Sequence, residues 1–598
     1  MKRLLFLFLF ILSPLALHAQ YWSDYVLEKG FDSRDYFLRP HRIISVNLKN
    51  IDEGLLGILP DPLSELSFQP ASLSSISGTR LYIDLKGSSE KPKAFKHRLY
   101  PIYLYDNALF APPYWGQPAE RKLEPLISAV YIGDVAAKYL PGFKYAVSYE
   151  LIHHQGAFYE YVPFWYYGGY DAFGTRAEAS RNFPEIDPNI KRDGLDEKTE
   201  TAHLLDATLS LKLAKFLAVG AKVSRVQTDV SGDYVRLNNY DQQYDYRYRS
   251  SYLNAKSTGA TIRQNEFSGG VLVTLSGTRQ FGVFAGRIEG DHKQSANDQD
   301  SSFYQYGEMS QADYFGLWRY SHVSRSHWRH DGATEYAGVH GDLPMQNEVT
   351  LRFRFEYQKS RVDLANGDAV ADTSFSHYRF RNYPDNVLYN YIASSRFTDD
   401  RIGEGDENTT RKSGALGLVV PMYKNSECTV GIFVESEESK TLMYEDAQVR
   451  RASHQHTETP WSPIGSQIGI EDKTLRLDKR ATTTNLALPI AMSFYLGRGF
   501  TAHFGAIKKY VKVEADEVID IWYRTDSTAV IRPDGITTKN PPQRIDRYRA
   551  VPARRSETAT NFRAGLTFQP VRRVRIDAGM GATPTELETW QFAVLLSL

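Results

Sequence analysis

The stretch VTLRFRFEY, residues 349–357, divides into two unlike faces when read at every second residue. Val349, Leu351, Phe353, Phe355 and Tyr357 form one face, and Thr350, Arg352, Arg354 and Glu356 the other. Successive side chains of a β-strand point to opposite sides, so this is an apolar face backed by a charged one. A water-soluble sandwich would bury the apolar face in its core. A membrane barrel would turn it outward to lipid and direct the charges into a wet lumen.

The start of the chain and its composition narrow the choice. In MKRLLFLFLFILSPLALHAQ, Lys2 and Arg3 precede an unbroken apolar run from Leu4 to Leu12, followed by Pro14 and a cleavage site at Leu17-His18-Ala19. This is the layout of a secretory signal peptide over 1–19, and its apolar run is too short to cross a bilayer. No cysteine follows the cleavage site, which excludes a lipoprotein anchor, and the single Cys428 leaves no internal disulfide framework. Lys and Arg number 71 and so do Asp and Glu, so no net charge draws the chain to nucleic acid. Length alone allows several soluble domains, but no linker separates globular units. Beyond the signal, no apolar stretch approaches the roughly 20 residues of a transmembrane helix. Membrane residence therefore requires a barrel.

The opening pattern recurs in pairs. Leu486, Leu488, Ile490, Met492 and Phe494 share a face, and after a turn at 496–499 so do Phe500, Ala502, Phe504 and Ala506. Gly414, Leu416, Leu418 and Val420 pair with Cys428, Val430, Ile432 and Val434 across a short turn. Each is a dyad-period hairpin. Segments near 228–264, 291–331, 359–410, 438–481 and 514–555 are instead long, polar and rich in Tyr, Asp, Arg and Ser. Short turns alternating with long polar connections match the periplasmic turns and extracellular loops of an outer-membrane barrel. Pro489 falls inside one strand, where its missing N–H requires a distorted ladder position.

The last residues, WQFAVLLSL, set Trp590, Phe592, Val594, Leu596 and Leu598 on one face. Here the chain resembles bacterial outer-membrane proteins, whose terminal strand ends in an aromatic or bulky apolar residue. The resemblance implies that these five residues are an assembly signal read by the barrel-assembly machinery. Counting back from this end gives strands at roughly 79–87, 125–133, 143–151, 202–213, 217–228, 265–275, 279–290, 332–341, 347–358, 411–421, 427–437, 482–494, 500–513, 556–568, 573–581 and 586–598. Sixteen is an even number, as closure of such barrels usually requires, and fourteen is the alternative. The expected fold is all-β: a transmembrane, antiparallel, up-and-down barrel over 79–598 with long extracellular loops. Residues 20–78 form an N-terminal plug or a periplasmic cap.

With the apolar faces in lipid, Asp206, Lys212, Arg352, Arg354, Glu356, Arg575 and Asp577 line the lumen. They read either as a selectivity lining or as structural charge pairing in a narrow interior. In YEYVPFWYYGGYDAF (159–173), Tyr161, Phe164, Trp165, Tyr166, Tyr167 and Tyr170 are a candidate ligand-binding loop, or equally part of an interfacial aromatic girdle. YDQQYDYRYRSSY (240–252) reads as a hairpin extended beyond the bilayer, with Arg247 or Arg249 in cation–π pairs. His322, His327, His330, His454 and His456 match no metal-site spacing, so neither metal nor cofactor is expected. No nucleophile elbow, HExxH or phosphate-binding glycine loop occurs, so no enzymatic activity is expected.

Two further resemblances add expectations. In LSELSFQPASLSSISGTRLYIDL (63–85), Gln69-Pro70-Ala71 stands just before the first strand. This is similar to the Asn-Pro-Ala hatch motif of the long-chain fatty-acid transporter family, with Gln in place of Asn. It implies a plugged barrel with a route for hydrophobic compounds and an N-terminal hatch. The Ala-Gln ending of the signal and the Tyr-rich loops resemble barrels of Bacteroidetes-type, Gram-negative bacteria, which implies a location in the outer membrane and its lipid but no activity. The expected function is porin-like passage of a small, possibly hydrophobic solute. The alternative is a non-transporting surface barrel whose loops bind a partner or glycan.

Overall fold

The structure, a computed structural model, describes residues 38–40, 57–59, 61–88, 127–134, 142–156, 195–243, 247–275, 279–307, 314–382, 387–422, 426–457, 465–549, 553–582 and 587–598. The signal-peptide segment and the aromatic stretch 159–173 lie outside the described residues.

After a four-residue helix, α1 (Pro62–Glu65), and a 3₁₀ turn at Pro70–Ser75, the described chain is almost wholly strand. Its first strands are β1 (Arg80–Ser88), β2 (Ile127–Asp134), β3 (Phe143–Gly156) and β4 (Leu195–Ala214). The longer ones follow: β5 (Leu217–Gln243), β6 (Arg247–Thr274), β7 (Gln280–Tyr306), β8 (Tyr314–Pro344) and β9 (Thr350–Asn382). Next come β10 (Val387–Pro421), β11 (Glu427–Thr457), β12 (Gly465–Gly497) and β13 (Phe500–Arg532). Two short strands, β14 (Gly535–Lys539) and β15 (Arg544–Arg549), precede β16 (Ala553–Val571), β17 (Val574–Ala582) and β18 (Leu587–Ser597).

Apart from the two short strands β14 and β15, each strand pairs antiparallel with the next around the ring, and β1 pairs with both β2 and β18, so the sheet closes. β14 and β15 lie on the outer half of β13, whose inner half pairs with β16, leaving sixteen strands in the ring. All sixteen expected strands are present. Pro489 sits where the β11–β12 ladder skips Gly431 and Ile432 without changing register, between the pairs Val430–Ile490 and Phe433–Ala487.

The opening stretch divides as its alternation demands. Phe355 and Tyr357 are 45% and 46% exposed on the outer surface, whereas Arg352, Arg354 and Glu356 are buried inside. Leu351, Phe353 and Phe355 pair with Leu418, Leu416 and Gly414 of β10, and Leu418 and Leu416 in turn with Val430 and Ile432 of β11. One outward band is thereby built from neighbouring strands. It ends at a common level: Lys359, Arg361 and Asp363 follow on β9, Arg287 and Glu289 on β7, and Glu438 and Lys440 on β11. An arginine facing lipid at midplane costs about 2–4 kcal/mol, so the band fixes the register and the placement of the barrel in the outer membrane.

The long polar segments are not loops. The pairs β5–β6, β7–β8, β9–β10, β11–β12 and the upper part of β13 continue as ladders far beyond the band. Once strands leave lipid, both faces tolerate polar residues, and the apolar alternation that marks a spanning strand fades although the backbone pairing does not. Residues 240–243 and 247–252 belong to such an extension, and there Arg247 and Arg249 pair with Asp241 at 2.9 and 3.7 Å.

Candidate functional site

The lumen is where the sequence places its charges, and the described N-terminal residues pack against its inner wall. On one side, Leu63, Leu66, Leu73 and Ile76 pack with inward residues of β1, β2, β3 and β18: Tyr82, Val130, Ile132, Ala146, Ala593 and Leu595. On another, Ile58 packs with Ala415, Phe433, Ala487 and Ile507 of β10–β13, and Leu59 with Ala491. Further up, Leu38 packs with Phe284, Ile288, Tyr336, Val362 and Leu364 of β7–β9.

Gln69-Pro70-Ala71 occupies the best-defined seat. All three residues are buried. The Gln69 amide Nε2 donates to the carbonyls of Val271 (3.0 Å) and Val283 (3.2 Å), which lie opposite each other on β6 and β7. Its Oε1 accepts from the Ala71 N–H and caps the 3₁₀ turn. The wall is cut to receive it. A Cβ on Gly220 would stand 2.5 Å from the Ala71 nitrogen, one on Gly270 would overlap the Gln69 amide, and one on Gly417 would overlap Ile58. Gly220 and Gly270 are direct cross-strand partners, so the notch is one continuous gap in the inner surface.

Ion pairs complete the contact. Arg352 donates from Nε to Asp342 at 2.7 Å, and from its Nη groups to Glu65 and to the Leu59 carbonyl. Lys222 lies 3.3 Å from Glu266, both side chains only 2% exposed, and also donates to the Ser67 carbonyl at 3.2 Å; Tyr336 donates its hydroxyl to Glu266. Arg354 stacks over the Phe68 ring at 5.5 Å. Leu38 donates its N–H to Gln264 Oε1 and accepts at its carbonyl from Thr334, and Arg39 lies 3.4 Å from Glu437. Buried ions partnered in this way hold a geometry more firmly than they add stability, because desolvation offsets most of the attraction.

The other expected lumen residues fall as follows. Asp206 is buried and accepts from Ser148 at 3.1 Å; Asp577 is buried, accepts from Thr567 and pairs with Arg575 at 3.0 Å. Lys212 shares the phase of Asp206 on β4. It is exposed near the short turn between β4 and β5, where the strand emerges from the wall. Trp590, Phe592 and Leu598 are exposed on the outer surface, with Gln591, Ala593 and Leu595 turned inward. Among the histidines, His322 lies 2.5 Å from Asp372, His330 is 3.2 Å from His292, and His454 meets Ser466.

Beyond the band, the inward face changes character in a way sequence reading missed. Trp328, Met443, Ala447, Leu475, Leu477, Ile519 and Ile521 form an apolar layer inside the outer barrel. Beside it lies a polar group: Arg401 donates to Asp399 at 3.0 Å and approaches Glu445 at 3.5 Å, while Asn366 donates to Glu445 at 2.9 Å. Burial holds the Glu445 carboxyl up at about 7, against the pull of Arg401 and Asn366, and raises Asp368 as well. The missed signal is an inverted alternation. In TLMYEDAQV (441–449), Met443, Ala447 and Val449 share the inward phase while Tyr444, Asp446 and Gln448 face water.

No family model matches the chain, and no curated protein matches it. Among solved structures, a Pseudomonas aeruginosa FadL homologue is similar over 94% of this chain and 100% of its own, at 10% identity and a TM-score of 0.32. A ferric enterobactin receptor mutant of the same organism covers 79% of this chain and 85% of its own, at 9% identity and 0.17. The translocator domain of the autotransporter NalP from Neisseria meningitidis covers 64% and 89%, at 10% and 0.18. With scores this low, the barrel is read from its own strands and side chains.

Proposed function

We propose that this outer-membrane barrel passes a small solute through a lumen closed by its own N-terminal segment, with the residues before β1 serving as the plug. The observation that carries this reading is the fit of Gln69-Pro70-Ala71 into the wall. Glycines weaken strand interiors and are retained where another backbone must approach. Here Gly220 and Gly270 stand opposite each other beneath that turn. A wall shaped to one occupant favours a docked, releasable segment over a lumen merely filled with side chains.

The test is single-channel recording in planar bilayers, comparing the full chain with a form lacking residues 21–78 and with the point variant Gly270→Val. The full chain should open rarely, and both altered forms should give discrete current steps. Silence in all three, with folding verified by heat-modifiable migration, would overturn passage and favour a binding role for the outer surface.

A further inference from the structure

The outer ends of β6–β10 carry tyrosines in a single cross-strand row. Tyr248 stands opposite Tyr306, Tyr306 opposite Gly316, Gly316 opposite Tyr378, and Tyr378 opposite Tyr391. Gly316 keeps the row continuous, because any side chain there would strike the Tyr306 ring. The rings touch in sequence. Tyr248 meets Tyr304 edge-on at 5.0 Å, Tyr304 meets Tyr306 at 5.8 Å, and Tyr306 meets Tyr314 at 5.0 Å. Tyr378 stacks with Tyr391 at 6.3 Å, and on the same face Phe380 stacks with Tyr389 at 4.9 Å and 7°. Tyr314 and Phe380 are 48% and 43% exposed, at the edge of the platform.

The rings of an interfacial girdle face outward near the bilayer surface, whereas these continue the inward phase of Phe284, Ile288 and Arg352 and lie far beyond the band. On β7 the outward apolar residues are Phe281 and Val283, and Arg287 pairs with Glu289 in water at 2.9 Å. Tyr304 lies far beyond Arg287 on that strand. At about 3.3 Å per residue and a tilt near 40°, this is on the order of 40 Å above the bilayer. The headgroup layer on each side is only about 6 Å deep. The platform therefore stands in the external medium.

Its chemistry selects the ligand. Arg247 and Arg249 alternate with Tyr248 on β6 and so lie on the opposite face, where both meet Asp241. The phenols of Tyr304 and Tyr306 are pushed above their ordinary range by burial and by neighbouring tyrosines, so they stay neutral. What the row presents is flat apolar faces edged with hydroxyls, with no charged residue in the row itself. Sugar rings match that surface, with C–H faces against the aromatic rings and hydroxyls against the phenols. An extended row of rings suits a chain of sugars better than a single one. We propose that this platform, on the inward face at the outer end of the barrel, binds a neutral polysaccharide outside the cell.

The test is calorimetric titration of the detergent-purified full chain with linear hexaoses of glucose, mannose, xylose and N-acetylglucosamine. A sulfated hexaose and phosphatidylcholine vesicles form the comparison arms. At least one neutral hexaose should bind saturably, and the double variant Tyr378→Ala, Tyr391→Ala should weaken it about tenfold or more, as loss of central aromatic contacts does. The Tyr→Phe pair should lose less, since the stacking faces remain. Binding confined to the sulfated sugar or to vesicles, no binding of any neutral hexaose, or an affinity unchanged by the alanine pair would each overturn the proposal.

Discussion

Replacing Gly270 by valine tests the seat of the N-terminal segment at its narrowest point. A side chain at 270 overlaps the Gln69 amide, so the amide must leave the wall. It then gives up its hydrogen bonds to the Val271 and Val283 carbonyls. At about 1 kcal/mol each, these account for roughly 2 kcal/mol. Overpacking adds about 1–3 kcal/mol. A total near 3–5 kcal/mol raises the undocked population by roughly two to three and a half orders of magnitude, at about 1.4 kcal/mol per tenfold. The assay is hydrogen exchange of residues 61–76, whose amides bond within α1 and the 3₁₀ turn, for example Ser72 to Gln69 and Ile76 to Leu73. Gly269→Val is the matched control, since its Cβ would meet nothing closer than 3.6 Å. Exchange over 61–76 should accelerate in Gly270→Val and stay near wild type in Gly269→Val. Unchanged exchange in Gly270→Val, or equal acceleration in both, would refute the seating argument.

Further expectations concern the wall itself. Leu416→Arg places a charge in the outward band between Phe353 and Ile432 and should lower stability to denaturant in micelles by about 2–4 kcal/mol. Ile402→Arg on the same strand, 77% exposed beyond the band, should change it by less than about 0.5 kcal/mol. Equal effects would contradict the position of the band. Glu445 holds its proton to about 7 in the folded barrel against an ordinary 4.5. Between those values the native state binds a proton that the unfolded chain has released. The contribution of Glu445 to stability should therefore be full below about 4.5 and be lost as pH rises to about 7, by up to about 3 kcal/mol. Glu445→Gln should flatten that slope in denaturant midpoints measured across pH; an unaltered slope would assign it to other groups.

The ring was readable because lipid imposes a strict period of two. Leu351, Phe353, Phe355 on one strand and Val430, Ile432, Val434 on another leave one register with charges inside. Pro489 was readable as a ladder defect for the same reason. The outer half was not. There Leu475 and Leu477 face in while Thr474, Arg476 and Asp478 face water, the reverse of the Leu486–Phe494 pattern on the same strand. A rule tuned to lipid reads that inversion as loop. The partners of the lumen charges were equally hidden. Arg352 was expected inside, but nothing in its own strand names Glu65 or the Leu59 carbonyl, which come from almost three hundred residues away. The Gln69-Pro70-Ala71 stretch stood out only by resemblance, and the glycines that receive it lie on strands remote in sequence.

Cysteines placed singly at 350–358 in a Cys428→Ser background, spin-labelled and reconstituted into vesicles, give the most direct measurement. Labels at 351, 353, 355 and 357 should be open to oxygen dissolved in the bilayer, and those at 352, 354 and 356 should be shielded from it. The opposite phase, or uniform accessibility along the stretch, would contradict a barrel that turns its apolar side chains to lipid.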